Sequence, residues 1–483
     1  MIWLLLINAM LGQFLSGLSA RIFQISLPTV AQGLATDILG VAWALIAFQL
    51  AGVSLSVVFG RLGDLYGRSR IYGLGFVLIT ISSVLCGLSR NVVELIAFRF
   101  LQGVGAAMTQ SMARALAMEA APEGGVGKAQ GLMTSAYHTG FLLGPTLGGL
   151  LIEYVHWRAV FFFLAPVAAA GVALTVARAR RNPEPRRPAV RLPVDYAGAA
   201  LLIVLGTSLT LLLDRRTAEV AGAGLRGMTA LVFVAALVGF VVQERRAASP
   251  IVHFPLFRIR MFAYSVLSLL LVAVVHGLVG FLMPFYLQEV LRLPPSIVGL
   301  LFLVPPLFTI TLATFSGHLS DRLGPRIPAT IGVLLMLAAA LVGTGLRADS
   351  HWGVPTLLLG LTGLSVAFFN TPNHTAIIGS VPREYRGFAT GIIHTMFGLG
   401  HLLGVSGGGA LLALAFRSYA GLPGATPTPA APAPFTAAMN VCYAAAAVLS
   451  AVALATSVLR GGEKVAVAHG PAPAGARAPG AAE

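Results

Sequence analysis

Fourteen apolar segments, each long enough to cross a lipid bilayer, occupy most of this sequence. A spanning helix needs about 20 mainly apolar residues. Only 10% of the 483 residues are charged and 57% are hydrophobic, whereas a soluble protein carries about 25% charged residues. The predicted fold is therefore an all-α polytopic membrane protein. Its spans lie near 2–32, 41–59, 71–89, 92–114, 131–154, 159–177, 195–213, 227–243, 262–287, 297–316, 327–346, 353–378, 388–415 and 437–459.

The basic residues are distributed unequally between the two sides of the predicted membrane. If the N-terminus is cytoplasmic, 22 of the 32 Lys and Arg residues fall in cytoplasmic loops and the C-terminal tail, 8 in outer loops and 2 within spans. Cytoplasmic loops carry an excess of basic residues. We therefore expect a multi-pass protein of the cell (plasma or inner) membrane with both termini in the cytoplasm. The first span has no basic flank, which predicts a very short N-terminal tail or a truncated start rather than a cleaved signal peptide.

An internal repeat relates the two halves of the chain. Five glycines at 131, 140, 144, 148 and 149 recur at 391, 400, 404, 408 and 409, each offset by 260 residues. The segment GRLGDLYGRSR at 60–70 recurs as GHLSDRLGPR at 317–326, offset by 257 residues. Parallel six-helix repeats with a binding site between the halves form one large transporter architecture.

The repeat divides the chain into five predicted regions. Two six-helix bundles flank a pair of inserted helices, and a linker and a tail complete the chain. The regions are an N-terminal bundle at 1–180, a basic cytoplasmic linker at 181–194, two inserted transmembrane helices at 195–243, a C-terminal bundle at 244–460 and a disordered cytoplasmic tail at 461–483.

The repeated loop resembles the signature loop of the major facilitator superfamily, and the chain to about residue 460 resembles its fourteen-helix drug:proton antiporter (multidrug efflux) branch. The resemblance implies that this loop is a gate, in which Gly60 lets helices approach closely. Leu65 and Ser69 depart from the family pattern, where a basic residue is usual. The predicted gating residues are Gly60, Asp64, Gly67, Arg68 and Arg70, and in the second copy Gly317, Asp321, Arg322 and Arg326.

Two helix motifs extend the resemblance. The segment LIAFRFLQGVGAA at 95–107 matches the family's fourth-helix motif and places Arg99 inside a span. An intramembrane arginine is costly and marks a functional site by default, and the resemblance implicates Arg99 in proton coupling. The alternative is a structural arginine bonded to backbone carbonyls. The fifth-helix glycines match the antiporter spacing, and they predict a smooth face and a bend at Gly131, Gly140, Gly144, Pro145, Gly148 and Gly149.

No acidic residue is predicted near the middle of the membrane. All 17 Asp and Glu residues fall in loops, in the tail or at span ends. Histidines within spans are the alternative titratable groups, because imidazole changes charge near physiological pH. They are His138, His276, His374, His394 and His401, each of which has a hydrogen-bonded core residue as its alternative. Asn370, Asn373 and His374 form a polar cluster that is interpreted as gate or cavity lining.

The first span contains the segment LSARIFQISLP at 18–28, in which Arg21 lies about 16 Å deep at 1.5 Å per residue. In the family the corresponding helix carries an aspartate where this chain has Ser19, a threonine at Arg21 and an asparagine at Gln24. The resemblance implies that Arg21 and Arg99 both face the cavity, with Gln24 and Gln102 as polar neighbours. Such a cavity favours anionic or neutral substrates. The alternative is an Arg21 satisfied by carbonyls or water at a helix bend.

The leading functional hypothesis is a proton-coupled secondary active transporter that exports amphipathic, drug-like small molecules by alternating access. One alternative is a facilitator or exchanger for an anionic or zwitterionic metabolite without a coupling carboxylate, and another is a non-transporting membrane sensor on the same fold. No nucleophile–base pair, phosphate loop or metal-ligand spacing predicts an enzyme, a cofactor or a metal site. The expected partners of this monomer are a small-molecule substrate, protons and the lipid bilayer, and not nucleic acid.

Overall fold

The computed structural model describes residues 2–120, 126–181, 196–213, 215–246, 254–382, 385–421 and 425–461. Within these residues the chain forms fifteen α-helices, a 3-10 helix at Phe254–Arg258 and a π-helical turn at Tyr286–Val290. The α-helices, numbered α1 to α15, are Ile2–Gly33, Ile38–Tyr66, Arg68–Leu88, Val92–Ala120, Val126–Tyr154, Ala159–Arg181, Tyr196–Leu213, Arg215–Arg246, Arg260–Phe285, Pro295–Leu301, Val304–Leu323, Arg326–Gly343, Gly353–Gly379, Arg386–Ala420 and Pro432–Leu459.

The helices account for the fourteen spans of the predicted fold. Twelve described segments are long and apolar enough to cross a membrane by length and composition, with α10 and α11 joined in one of them. The other two spans are α5, which is rich in glycine, and the 18-residue α7. The linker residues 182–194 and the tail residues 462–483 lie outside the described part of the chain.

The two halves use the same helix pairing. In the first half α1 packs on α5, α4 packs on α2 and α3, and α6 packs on α3. In the second half α9 packs on α14, α13 packs on α11 and α12, and α15 packs on α12. Helices α7 and α8 pack on each other, and α7 also contacts α2 and α14. The internal repeat of the sequence is therefore a repeat of the three-dimensional packing.

The repeated glycines allow the closest helix approaches in each half. A Cβ added at Gly140 of α5 would lie 2.0 Å from the carbonyl oxygen of Phe14 in α1. A Cβ added at Gly400 of α14 would lie 2.7 Å from the carbonyl oxygen of Leu270 in α9. These contacts relate Phe14 to Leu270, so positions in α1 and α9 correspond at an offset of 256 residues.

The bundle has two unlike sides. The terminal side is the side where α1 begins and α15 ends, and the far side is the side where α1 and α9 end. On the far side Thr29 donates a hydrogen bond to Gln288 over 3.3 Å, and Gln32 donates one to Glu289. On the terminal side a Cβ added at Gly60 or Gly391 would meet no described atom within 4 Å. The close approach expected at Gly60 is therefore absent from this conformation.

Replacing Gly140 with alanine is expected to destabilise the protein by about 2 kcal/mol or more, because the new methyl group collides with backbone rather than with a movable side chain. The melting temperature of the purified protein measures the effect. Gly407→Ala is the matched control, since a Cβ there meets nothing within 4 Å and alanine favours helix over glycine by about 1 kcal/mol. Equal melting temperatures for the two variants would refute the packing role of Gly140.

Candidate functional site

A cleft between the two halves is the candidate site. In this conformation it is narrow, with a cavity volume of about 20 Å³, and it is partly open to solvent. Helices α1 and α5 line it from the first half, and α9, α11, α13 and Phe302, which follows α10, line it from the second. The lining side chains are largely apolar, with one charged residue among them. They are Arg21, Phe141, Pro145, His276, Val279, Gly280, Phe302, Pro305, Pro306, Leu359 and Thr362.

Arg21 joins the two halves at the cleft. Its side chain is only 8% exposed. One guanidinium nitrogen donates to Oε1 of Gln24 over 2.7 Å, and the other bonds Nε2 of His276 in α9 over 3.0 Å. The guanidinium carbon also lies 4.1 Å from the ring centre of Phe141. Because arginine only donates hydrogen bonds, Nε2 of His276 is the acceptor and the imidazole is neutral, with its proton on Nδ1.

A second histidine lies beside this pair. The ring of His401 in α14 is centred 5.2 Å from that of His276 and 4.8 Å from that of Phe397. Nε2 of His401 is enclosed and has no hydrogen-bond partner among the described residues. Arg21, His276 and His401 therefore form a cluster of residues from α1, α9 and α14.

The repeat explains why the second half has no arginine equivalent to Arg21. At the offset of 256 residues Arg21 corresponds to Gly277, where an added Cβ would lie 2.6 Å from the carbonyl oxygen of His401. A Cβ added at Gly144 would lie 3.0 Å from that of Arg21, so this glycine makes room for the arginine. The duplicated helix packing thus leaves room for a side chain at the position of Arg21 and excludes one at the equivalent position of Gly277.

Arg99 does not line the cleft, which corrects the expectation that it faces the cavity. The side chain is completely buried, between the rings of Phe23 at 4.2 Å and Phe48 at 4.3 Å. It donates to Oε1 of Gln102 over 2.6 Å, and Gln102 in turn donates to the hydroxyl of Ser83 over 2.7 Å. Arg99 also donates to the carbonyl oxygen of Ala44 in α2 over 3.4 Å, the kind of contact that the structural alternative describes, and in this conformation Arg99 and Gln102 join neighbouring helices.

The residues of the predicted polar cluster on α13 differ in burial. Asn373 is fully buried, donates to the carbonyl oxygen of Ser265 and is not among the described residues that line the cleft in this conformation; its interpretation as gate or cavity lining stays a prediction. Asn370 and His374 are partly buried, and His394 is exposed on α14. His138 is partly buried on α5, where it packs edge-on against Tyr137.

Each half holds its signature loop with an arginine from its last helix. Gly67 and Gly324 have φ angles of 101° and 80°, so both loop copies turn at a glycine in the left-handed region. In the first half Arg178 donates to Ser69, one of the two positions where the family has a basic residue. Arg68, Arg70, Gly317, Asp321, Arg322 and Arg326 lie in or beside the two loops, and the side chain of Asp64 lies outside the described part of the structure.

In the second half Arg460, which looks like a tail residue in the sequence, has the equivalent role. It is 1% exposed and donates to Oδ1 of Asn373 and to the carbonyl oxygens of Pro325 and Arg326 over 2.8 to 3.1 Å. Its one sequence signal is its position directly after the last span.

Comparison with known proteins identifies the class. The Major Facilitator Superfamily model matches residues 9–286 and 265–474, and the chain belongs to this family of membrane transporters. The multidrug resistance protein Stp of Mycobacterium tuberculosis (strain CDC 1551 / Oshkosh) is 31% identical over 420 residues, covering 85% of this chain and 76% of that protein. The chain thus falls in the drug-efflux branch and is not an enzyme.

Other relatives differ in substrate. The tetracenomycin C resistance and export protein of Streptomyces glaucescens is 31% identical over 422 residues, covering 85% of this chain and 76% of that protein. The riboflavin transporter RibZ of Clostridioides difficile (strain 630) is 29% identical over 405 residues, covering 84% of this chain and 87% of that protein. A bacterial homologue of the human lysosomal transporter Spinster superposes with a TM-score of 0.67 at 15% identity, covering 94% of this chain and 96% of that protein. This similarity supports the fold alone.

Replacing Arg460 with methionine is expected to lower stability by about 2 kcal/mol, because Asn373 and two loop carbonyls lose their donor. Arg260→Met is the matched control, since the exposed Arg260 donates, within the described part of the chain, to the Leu459 carbonyl oxygen at the same helix end. Thermal unfolding of the two variants compares them. A loss for Arg460→Met no larger than that for Arg260→Met would contradict the proposed role.

Proposed function

We propose that this protein exports amphipathic small molecules across the cell membrane by alternating access, with both termini in the cytoplasm. The observation that carries the proposal is the cleft between the halves, with its apolar walls and the single charge of Arg21. Pockets for drug-sized ligands are mostly apolar and contain a few placed polar groups. The drug-export function of several relatives supports the same substrate class.

The contacts on the far side support alternating access. Besides the bonds of Gln32 and Thr29, Gln288 donates to the carbonyl oxygen of Ile25 over 2.8 Å, and the backbone N–H of Ser296 donates to Glu153 over 2.9 Å. All of these bonds join the first half to the second. They have to break for a substrate to leave through the far side, which we propose to be the outer face.

We also propose that a proton gradient acts through His276. Protonating this imidazole places a second positive charge 3.0 Å from the guanidinium of Arg21. Gain or loss of a proton therefore changes the contact between the two halves. Since the described lining residues of the cleft contain no carboxylate, His276 is the lining residue whose side chain can take up a proton.

A second candidate function is a facilitator or exchanger for organic anions. Arg21 favours it, because the described lining residues contain a buried cation but no acid. The membrane potential itself can drive an anion outwards, since moving one charge through 100 mV is worth about 2.3 kcal/mol. Such a transporter needs no coupling carboxylate.

A disulfide across the far side is expected to stop transport. Thr29→Cys with Gln288→Cys replaces the 3.3 Å hydrogen bond, and oxidation should lower substrate flux by about tenfold or more by keeping the far side closed. The single-cysteine variants are matched controls, because Cys86 and Cys442 are buried. Reduction should restore transport. Undiminished flux in a fully cross-linked sample would contradict alternating access through this side.

Inverted vesicles with an acidic interior separate the two candidates. Addition of an exported drug is expected to dissipate the pH gradient in vesicles that contain the protein, because substrate enters as protons leave. A pH-sensitive dye reports the change, and vesicles of oxidised Thr29→Cys/Gln288→Cys protein are the control. Potential-dependent uptake of an organic anion without such dissipation, across a broad panel of drugs, would overturn proton-driven export and support the facilitator.

A further inference from the structure

We infer that the cleft binds amphipathic organic anions, and that the acidic group of the ligand replaces His276 on Arg21 while His276 takes up a proton. The inference rests on the proposed function and names a substrate class for the same cleft. For this class the ligand and the proton bind together, so the inference deepens the second candidate function, transport of organic anions, whereas exchange of a drug for protons requires the two to compete.

The first step concerns the charge of Arg21. Its described contacts are the amide of Gln24, the imidazole of His276 and the ring of Phe141, and none of them carries a negative charge. A buried charge with only neutral partners is costly. A carboxylate or sulfonate makes charge-assisted hydrogen bonds about twice as strong as those to neutral acceptors, and it matches the planar guanidinium.

The second step concerns the imidazole that the ligand displaces. Without an anion, protonated His276 would face the Arg21 cation over 3.0 Å. With an acidic group between them, the same protonated imidazole donates a hydrogen bond to an anionic oxygen. Anion binding therefore favours protonation of His276, and protonation favours anion binding to the same extent, because linkage is reciprocal.

The surroundings of His276 support this assignment. The ionisable groups beside it are Arg21 from α1, at 3.0 Å, and His401 from α14, with ring centres 5.2 Å apart. Helix α5 contributes the Phe141 ring, on which Tyr137 stacks at 6.0 Å, and α13 contributes the uncharged Leu359 and Thr362. No described carboxylate lies among these neighbours to compete with the ligand.

Independent support comes from His401. Its Nε2 is enclosed and lacks a hydrogen-bond partner within the described chain, although buried polar atoms are generally paired. The ring lies 5.2 Å from that of His276. A ligand acid that binds between Arg21 and His276 has this unpaired nitrogen as a further neighbour.

The walls of the cleft define the rest of the ligand. Phe141 covers one face of the guanidinium at 4.1 Å, and Phe302, Val279 and Pro306 contribute apolar surface. An aromatic or aliphatic body with one acidic group therefore fits better than a small hydrophilic anion.

Binding of radiolabelled 1-naphthalenesulfonate to the full-length protein in lipid nanodiscs tests the inference. The sulfonate stays ionised, so any pH dependence of its affinity belongs to the protein. We expect binding to tighten by about tenfold between about pH 8 and about pH 5.5, across the ordinary titration range of histidine. The uncharged naphthalenesulfonamide should bind the wild-type protein at least about tenfold more weakly at the lower pH.

Variants assign the effect to residues. Arg21→Gln should weaken sulfonate binding by about tenfold or more at both pH values. His276→Gln keeps an acceptor for Arg21 but does not titrate, so it should bind the sulfonate with an affinity independent of pH. His318→Gln is the matched control, because this exposed histidine bonds its own helix at Thr314, and it should behave as wild type.

Equal affinities for sulfonate and sulfonamide, or a pH dependence that persists in His276→Gln, would overturn the inference. The sulfonamide comparison uses wild-type protein, so it stands even if Arg21→Gln fails to fold. Because binding is measured without transport, export of neutral drugs with no sulfonate binding would overturn this inference alone. Sulfonate binding in a protein that moves no substrate would instead overturn the proposed function.

Discussion

The burial of positive charge without carboxylate partners is the constraint on which this structure depends. Arg21, Arg99 and Arg460 are between 0 and 8% exposed. Their described hydrogen-bond partners are amides, an imidazole and backbone carbonyls, and aromatic faces cover two of the guanidinium groups. Arginine suits such sites because its charge is delocalised and weakly hydrated, and it stacks on rings. Each arginine fixes a different part of the transporter.

Duplication gives the two halves one framework, and small residues decide where they differ. The close contacts of α5 on α1 recur as those of α14 on α9, through glycines in the same register. Gly277 and Arg21 occupy equivalent positions, but the approach of His401 leaves no room for a side chain at Gly277. The functional asymmetry of the cleft therefore follows from which of the two equivalent positions leaves room for a side chain.

Much of the fold could be predicted from the sequence, because lipid requires long apolar helices and the glycine repeat fixes their pairing. The arrangement of the candidate site was harder to predict. The resemblance implied that Arg21 faces the cavity, and the structure places it among the residues that line the cleft, whereas nothing in the motif around Arg99 shows which face of α4 points inwards. Arg21 and His276 are 255 residues apart in the sequence, and neither local segment indicates that the two residues are in contact. Applying the repeat to α1 and α9 makes Gly277 the counterpart of Arg21. It would therefore have predicted that the neighbouring His276 lies near the first half.

Helices α1 and α9 contribute residues both to the cleft and to the contacts that close the far side. Along α1, Arg21 and Gln24 precede Thr29 and Gln32, and along α9 and its π-helical turn, His276 precedes Gln288 and Glu289. Gly280 lies between them, where an added Cβ would collide with the Gln24 amide at 2.0 Å. A ligand that separates Arg21 from His276 therefore acts on the spacing of the helices that close the far side. In the proposed mechanism, substrate binding and opening of the far side are linked directly through this pair of helices.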